Sequence, residues 1–313
     1  MSVLFEEILI IGGGLIGSSL ARAARAKAVV GRLVMSDADP EVRKTLKELD
    51  ICDKVCETPN PSTADLVMIA IPPARIAACA LSLMGQMKAG AILTDVGSIK
   101  QAVVEAIAPH VPTGIEFIGG HPIAGTEQSG PKAGFASLFE NRWCILTPEA
   151  TDTPGVARLK AFWQALGSEV AFMSPARHDL VLATTSHLPH LIAYALVGTA
   201  TDMETVTRNE VVKYSAAGFR DFTRIAASDP VMWRDVFLGN KQAVLEVLGR
   251  YIEDLTALKR AIRWDEGDRL LEEFSRTRDI RRRIIDAGQD TATPNFGRDT
   301  AQDGPGDAKR TDD

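Results

Sequence analysis

The sequence predicts an α/β protein: a Rossmann-type doubly wound sheet over residues 1–173, followed by an all-helical dimerisation domain over residues 174–286. Three observations predict it. Short apolar runs alternate with helical periodicity as far as residue 172, the order expected of a doubly wound sheet. Glycines spaced G-x-G-x-x-G join the first apolar run to the first helix. From Ser174 onward no strand run appears, and helical periodicity takes over.

The first strand is expected at residues 7–11, before Gly12, Gly14 and Gly17. Gly12 permits a tight turn, Gly14 lets a pyrophosphate approach the backbone, and Gly17 allows close packing of helix on strand. The first helical turn, Leu15, Ile16 and Gly17, offers free N–H groups to phosphate. A second strand, residues 33–36, ends at Asp37, whose carboxylate suits the ribose hydroxyls of NAD and repels the extra phosphate of NADP. A turn residue is the plainer reading of Asp37. Asp39-Pro40 reads as a helix cap for residues 40–49.

Residues 64–71 are continuously apolar once past Asp65, the mark of a strand covered on both faces. Pro72-Pro73 stops it where cofactors sit in such sheets, which makes Pro72 a cofactor-side residue. Helix is expected at 74–87, strand at 91–95, helix at 100–107, a short strand at 116–119, strand at 143–147, helix at 154–166 capped by Thr153, and strand at 169–172. Beyond these, helices are expected at 177–182, 190–200, 203–214, 231–264 and 269–285, with Gly249 as a possible interruption of the long one. Several amphipathic helices in one domain suggest a homodimer. Residues 287–313 have the composition of a disordered tail.

Bulk properties narrow the function. The chain has 313 residues and a net charge of -6, which gives no positive field for nucleic acid. Arg276, Arg278, Arg281, Arg282 and Arg283 are interleaved with Glu272, Glu273, Asp279 and Asp286, as on a solvated helix face. No targeting segment and no run of 18 apolar residues is read, so a membrane partner is not expected. Cys52, Cys56, Cys79 and Cys144 form no dense framework, and a cytoplasmic location is expected.

Three clusters can carry chemistry. In residues 95–100, DVGSIK, Ser98 can bond a substrate hydroxyl, an imidazole or the cofactor; a helix N-cap is its structural alternative. Residues 119–130, GGHPIAGTEQSG, form a glycine-rich loop that is entropically costly to order, which favours a binding role. His121 stands there as a candidate general base, with a structural loop histidine as the alternative. His110, in a PHVP turn, carries no assignment. The third cluster joins SHLPH, residues 186–190, to GFRDFTR, residues 218–224. His187 and His190 lack a third ligand, so no metal is expected. Arg220 and Arg224 lie four apart, and either suits a carboxylate.

With these motifs in hand, the sequence resembles the prephenate/arogenate (cyclohexadienyl) dehydrogenases. GGGLIGSSLA (12–21), DVGSIK, GGHPIAGTEQSG, SHLPH and GFRDFTRIAASDPVMWRDVF (218–237) carry the resemblance in the right order. It implies NAD-dependent oxidative decarboxylation of prephenate or arogenate. In that pattern His121 matches the catalytic histidine, and Ser98 the serine bonding both hydroxyl and histidine. Arg224 matches the arginine on a substrate carboxylate, His190 a histidine at the carboxylate end, and His187 a supporting residue. Thr126 and Glu127 match the loop by the substrate side chain. Gly12, Gly14, Gly17 and Asp37 match the NAD site. The resemblance also implies a helical domain that dimerises. Two alternatives stand beside it. One is a hydroxyacid-type dehydrogenase, which wants a helix lysine, although none occurs between Lys160 and Lys213. The other is a silent cofactor sensor.

Overall fold

The computed structural model describes residues 3–126, 128–202 and 216–286. Eight strands form one sheet in the order β3-β2-β1-β4-β5-β6-β7-β8. The first six run parallel: β1 (Phe5–Ile11), β2 (Val30–Ser36), β3 (Lys54–Cys56), β4 (Leu66–Ile69), β5 (Ile92–Asp95) and β6 (Glu116–Pro122). Strand β7 (Trp143–Thr147) pairs antiparallel with β6, and β8 (Glu169–Phe172) runs parallel to β7. Order reverses at β1, which has β2 on one side and β4 on the other. That reversal opens a crevice at the carboxyl ends of the strands.

Alternation along β1 builds two cores. Phe5, Ile8 and Ile10 join Leu20, Ala21 and Ala24 of α1 (Leu15–Ala26) and Phe162 of α5 (Pro154–Ala165) on one face. Leu9 and Ile11 join Ile76 of α3 (Pro73–Leu83) and Val103 of α4 (Gln101–Ile107) on the other. The small residues of α1 let it lie close to the sheet. Helix α2 (Pro40–Leu49) starts as expected, with the Asp39 side chain accepting the Glu41 N–H at 2.8 Å. Thr153 caps α5 by accepting the Val156 N–H at 3.2 Å.

Two strand readings change. Edge strand β3 is only three residues, too short to stand out as an apolar run. Strand β6 continues through Gly119, Gly120, His121 and Pro122, so His121 lies on a strand and not in the loop after it. The glycine pair reads as a turn because it is glycine. Here it serves close packing: a Cβ at Gly119 would stand 2.5 Å from Thr147 Oγ1, and one at Gly120 2.7 Å from the Asp95 carbonyl oxygen.

After β8 come α6 (Pro175–Leu182), a π turn (Ala183–His187) and α7 (Leu188–Asp202). Then follow α8 (Ala217–Thr223), a 3₁₀ turn (Arg224–Ala227), α9 (Pro230–Gly239), α10 (Lys241–Arg263) and α11 (Gly267–Asp286). The expected helix at 203–214 and the expected tail at 287–313 lie outside the described residues. The expected interruption at Gly249 is not found: Gly249 lies inside α10, and the chain breaks at Asn240. Asn240 leaves helical geometry because its side chain is engaged elsewhere, as shown below.

By compactness the chain forms two units, one ending at Leu248 and one beginning at Gly249. The first holds the sheet and the helices through α9, with Trp233 and Val236 of α9 in the same core as Ile76 and Val103. The second holds most of α10 and all of α11. Residues 175–202, with mean hydropathy 1.4, are long and apolar enough by length and composition to cross a membrane. Their buried polar groups His178, Asp179 and His187 are tied to other elements by hydrogen bonds, as a helix packed within protein requires.

Candidate active site

Two regions lie along the carboxyl edge of the sheet. The first follows β1. Gly12 has φ +102°, and a Cβ there would stand 2.2 Å from the Ala70 carbonyl oxygen. A Cβ at Gly17 would stand 1.9 Å from the Gly12 carbonyl oxygen, so turn and helix lock together only as glycines. Around Gly14 the position of an added Cβ is open to 4 Å. Helix α1 starts at Gly14 without a side-chain cap, which leaves the first-turn N–H groups of Leu15, Ile16 and Gly17 free of side-chain partners. Half-buried Asp37 points its carboxylate back at this loop. Its Oδ2 accepts the Gly13 N–H at 2.7 Å and its Oδ1 accepts the Asp39 N–H at 2.9 Å. Pro72 is exposed at the start of α3. An open backbone surface with uncapped donors, beside a held carboxylate, fits a dinucleotide's pyrophosphate and ribose.

The second region is built around β5 and β6. Asp95 and Lys100 form an ion pair with both side chains wholly buried. Asp95 Oδ2 also accepts the Gly97 N–H at 2.8 Å, and Oδ1 accepts the Gly120 N–H at 3.3 Å. One carboxylate thus ties the DVGSIK loop to the strand bearing His121. A buried pair of this kind needs those additional hydrogen bonds to offset desolvation.

His121 is buried, and its Nδ1 lies 2.8 Å from Nε2 of His178. His178 Nδ1 lies 2.8 Å from Asp179 Oδ1. Burial drives the pKa of His121 well below the ordinary histidine value, with further lowering from His178, Lys100 and His187. Burial also lowers His178, against the opposing pull of the Asp179 hydrogen bond. His187 sits at the end of the π turn, and its Nδ1 is 3.1 Å from Asn240 Nδ2. Burial pushes its pKa down to about 4. The Asn240 amide also donates to the Asp179 carbonyl oxygen at 2.8 Å.

Ser98 does not take the N-cap role left open for it. The first N–H groups at the start of α4, those of Lys100 and Gln101, are capped by the Asp179 carboxylate at 2.7 and 2.9 Å. The half-buried Ser98 hydroxyl has no hydrogen bond to His121 or to any other described residue, while its backbone bears on His187. His190 stacks on Trp233 with ring centroids 3.7 Å apart, and its Nδ1–H donates to the Ser186 carbonyl at 2.9 Å. Burial lowers its pKa first, and the nearby Arg224 charge lowers it further. That coupling brings Arg224, on the 3₁₀ turn, to the His190 end of the site. Thr126 is exposed, and its Oγ1 accepts the Gln128 N–H at 3.2 Å. Glu127 lies outside the described residues.

Sequence reasoning missed His178, Asp179, Asn240 and the Asp95–Lys100 pair as parts of this site. Asp179, Ala183 and His187 recur every four residues in an apolar helical stretch, which marks one buried face carrying polar groups. That pattern was available. The ion pair leaves a weaker trace, two charges bracketing the short VGSI segment.

Comparison with known proteins follows the same outline. A family model described as "Prephenate dehydrogenase, nucleotide-binding domain" matches residues 20–172. A second, "Prephenate dehydrogenase, dimerization domain", matches residues 174–276. A cyclohexadienyl dehydrogenase of Zymomonas mobilis is 40% identical over 280 residues, 88% of this chain and 95% of that protein. A crystal structure of prephenate dehydrogenase from Aquifex aeolicus, in complex with hydroxyphenyl propionate and NAD+, superposes with TM-score 0.83 at 35% identity. It covers 89% of this chain and 98% of its own. A Synechocystis arogenate dehydrogenase superposes with TM-score 0.73 at 29% identity, covering 87% and 99%.

Proposed function

The chain belongs to the prephenate dehydrogenase family, and on that premise we propose that it performs the NAD-dependent oxidative decarboxylation of prephenate, arogenate or both, in tyrosine biosynthesis. The observation that carries this reading is the His121 imidazole, buried on the last parallel strand and held neutral by its surroundings. A neutral imidazole can take the ring hydroxyl proton as the carbon bearing that hydroxyl loses hydride. When bound, the dinucleotide supplies the two-electron acceptor for that hydride. The carboxylate on the opposite ring carbon leaves as carbon dioxide, and the electrons of the broken C–C bond complete the aromatic ring. The proton on His121 then returns to the phenolic oxygen. Prephenate gives 4-hydroxyphenylpyruvate by this route, and arogenate gives tyrosine.

In this reading Ser98 bonds the same hydroxyl, and Arg224 grips a substrate carboxylate with His190 beside it. His187 braces the site, and Thr126 and Glu127 border the substrate side chain. Gly12, Gly14, Leu15, Ile16, Gly17, Asp37, Pro72 and Ser98 line the NAD side. The nucleotide-binding half is taken as residues 1–173 and the helical half as 174–286. We place the protein in the cytoplasm on the strength of its four free cysteines.

The test is the initial rate of NADH or NADPH formation with prephenate and with arogenate, each with NAD and NADP. Turnover of either substrate with NAD supports the proposal, and the pair of rates assigns substrate preference. Silence with both overturns it in favour of a cofactor sensor.

We further propose a homodimer through the helical half. A dimerization-domain model matches that half, and the unit from Gly249 exposes Ile252, Ile262, Trp264, Leu271 and Phe274. Sedimentation velocity at micromolar concentration is expected to give about twice the chain mass; a monomer overturns this proposal.

A further inference from the structure

We propose that His178 and Asp179 are positioning residues for the site's base: the chain Asp179–His178–His121 fixes the proton of His121 on Nδ1 and presents Nε2 as the acceptor. The kinetic consequence rests on the dehydrogenase reading above, but the tautomer does not.

The argument starts at Asp179. Its Oδ1 accepts the Lys100 N–H at 2.7 Å and its Oδ2 accepts the Gln101 N–H at 2.9 Å. Both donors are fixed in the backbone, so they hold an ionised carboxylate in one orientation. Asn240 adds a brace by donating to the carbonyl of the same residue. Asp179 Oδ1 then stands 2.8 Å from His178 Nδ1. An ionised carboxylate only accepts, so His178 Nδ1 carries a proton. A neutral imidazole protonated there has its lone pair on Nε2, which lies 2.8 Å from His121 Nδ1. That lone pair calls for a donor, so His121 Nδ1 carries its proton and Nε2 carries the lone pair. His178 is wholly buried and Asp179 nearly so, which removes water as a competing partner. No described residue hydrogen-bonds His121 Nε2, so a substrate hydroxyl has that position to itself.

The same chain serves the protonated state. An imidazolium at His121 donates from Nδ1 to His178, with the Asp179 anion one ring further on. Lys100 and the neighbouring rings of His178 and His187 oppose that charge, Asp179 and Asp95 favour charge on His178 beside it, and Cys144 lies alongside as a neutral thiol. His178 therefore acts through His121 and touches no reacting atom.

Ring-nitrogen NMR of the full chain labelled with ¹⁵N-histidine tests the tautomer. The five histidines are assigned by single His→Gln variants. The proposal expects His121 protonated on Nδ1 at pH 7.5 in the wild type, and on Nε2 or in exchange between tautomers in His178→Leu. An Nε2–H tautomer in the wild type overturns it. In kinetics, His178→Leu is expected to lower kcat by roughly 100-fold, with KM changed less than about threefold. His178→Gln keeps an acceptor oxygen near the Nε2 position and is expected to restore at least a tenth of wild-type kcat. Equal losses in the Leu and Gln variants, or none in either, overturn the positioning role. Should the wild type turn over neither substrate, the dehydrogenase reading fails, and the NMR result alone decides the relay.

Discussion

The glycine loop after β1 and the histidine cluster on β6 and α6 share one edge of the sheet but are built from opposite materials. The loop is made of backbone, and its use depends on side chains being absent. At Gly12 and Gly17 an added methyl would meet carbonyl oxygens at 2.2 and 1.9 Å, and at Gly14 it would occupy open space. The cluster is made of side chains drawn from distant parts of the chain. His121 meets His178 across 57 residues, and Lys100 meets Asp179 across 79. One region therefore fails by addition and the other by removal, which gives each a distinct way to be broken.

Removal has the larger expected effect. His121→Asn keeps a polar side chain of modest size on β6 and deletes the nitrogen proposed as the base. Turnover with prephenate or arogenate is expected to fall by roughly 10²–10⁴-fold, the usual worth of a positioned acid–base group. The fluorescence change on titrating NAD is expected to give a Kd within about threefold of wild type, because the glycine loop is untouched. Near-normal turnover would remove His121 from the chemistry.

Acid should find the same region first. Burial leaves His121, His178, His187 and His190 with pKa values below that of an exposed histidine, and His187 near 4. Below about pH 6.5 the unfolded chain takes up protons that these folded sites refuse, so stability is complete above that pH and declines as pH falls toward 4. A depression from 6.5 to about 4 at His187 alone corresponds to about 3 kcal/mol. Urea unfolding at pH 7.5, 6 and 5 checks this, and a flat profile would mean these rings are as basic folded as unfolded.

The contrast also explains what could be read in advance. Glycine spacing is a local signal, since Gly12, Gly14 and Gly17 act within one turn and one helix start. The nucleotide half, the strand alternation and the caps Asp39 and Thr153 were legible for that reason. His121 was legible as a histidine in an unusual loop, although it belongs to a strand. His178 was not, because its meaning depends on β6 and α6 being packed together. Asn240 was hidden in a continuous helical pattern whose break comes from a tertiary hydrogen bond. The cap offered as the structural alternative for Ser98 falls to Asp179, which comes from another helix and so left no local trace.

Addition gives the next effect. Gly12→Ala places a methyl against the Ala70 carbonyl in a backbone conformation at φ +102°. The conformation alone costs about 1–2 kcal/mol, and relief of the contact adds to it. We expect a lower melting temperature and an NAD affinity weakened by about tenfold or more. The matching change at Gly14, where a methyl meets no protein atom, is expected to leave melting nearly unchanged. Equal melting losses at the two positions would show that the loop is not held as described.

The smallest effect separates charge from scaffold. The Asp37 carboxylate accepts the Gly13 and Asp39 N–H groups, and in the proposed function it also sets a negative charge against the extra phosphate of NADP. Asp37→Ser removes both, so a loss of activity there would be ambiguous. Asp37→Asn removes the charge but keeps an oxygen able to accept the Gly13 N–H. The melting temperature is then expected to stay within a few degrees, while the ratio of kcat/KM for NAD over NADP drops by about tenfold, roughly the 1–2 kcal/mol that a screened charge–charge repulsion supplies near a protein surface. A ratio that does not move in the Asn variant would assign discrimination to another residue and leave Asp37 as a clamp on the glycine loop. It would then belong wholly to the backbone-built region, where a side chain matters only for the N–H it holds.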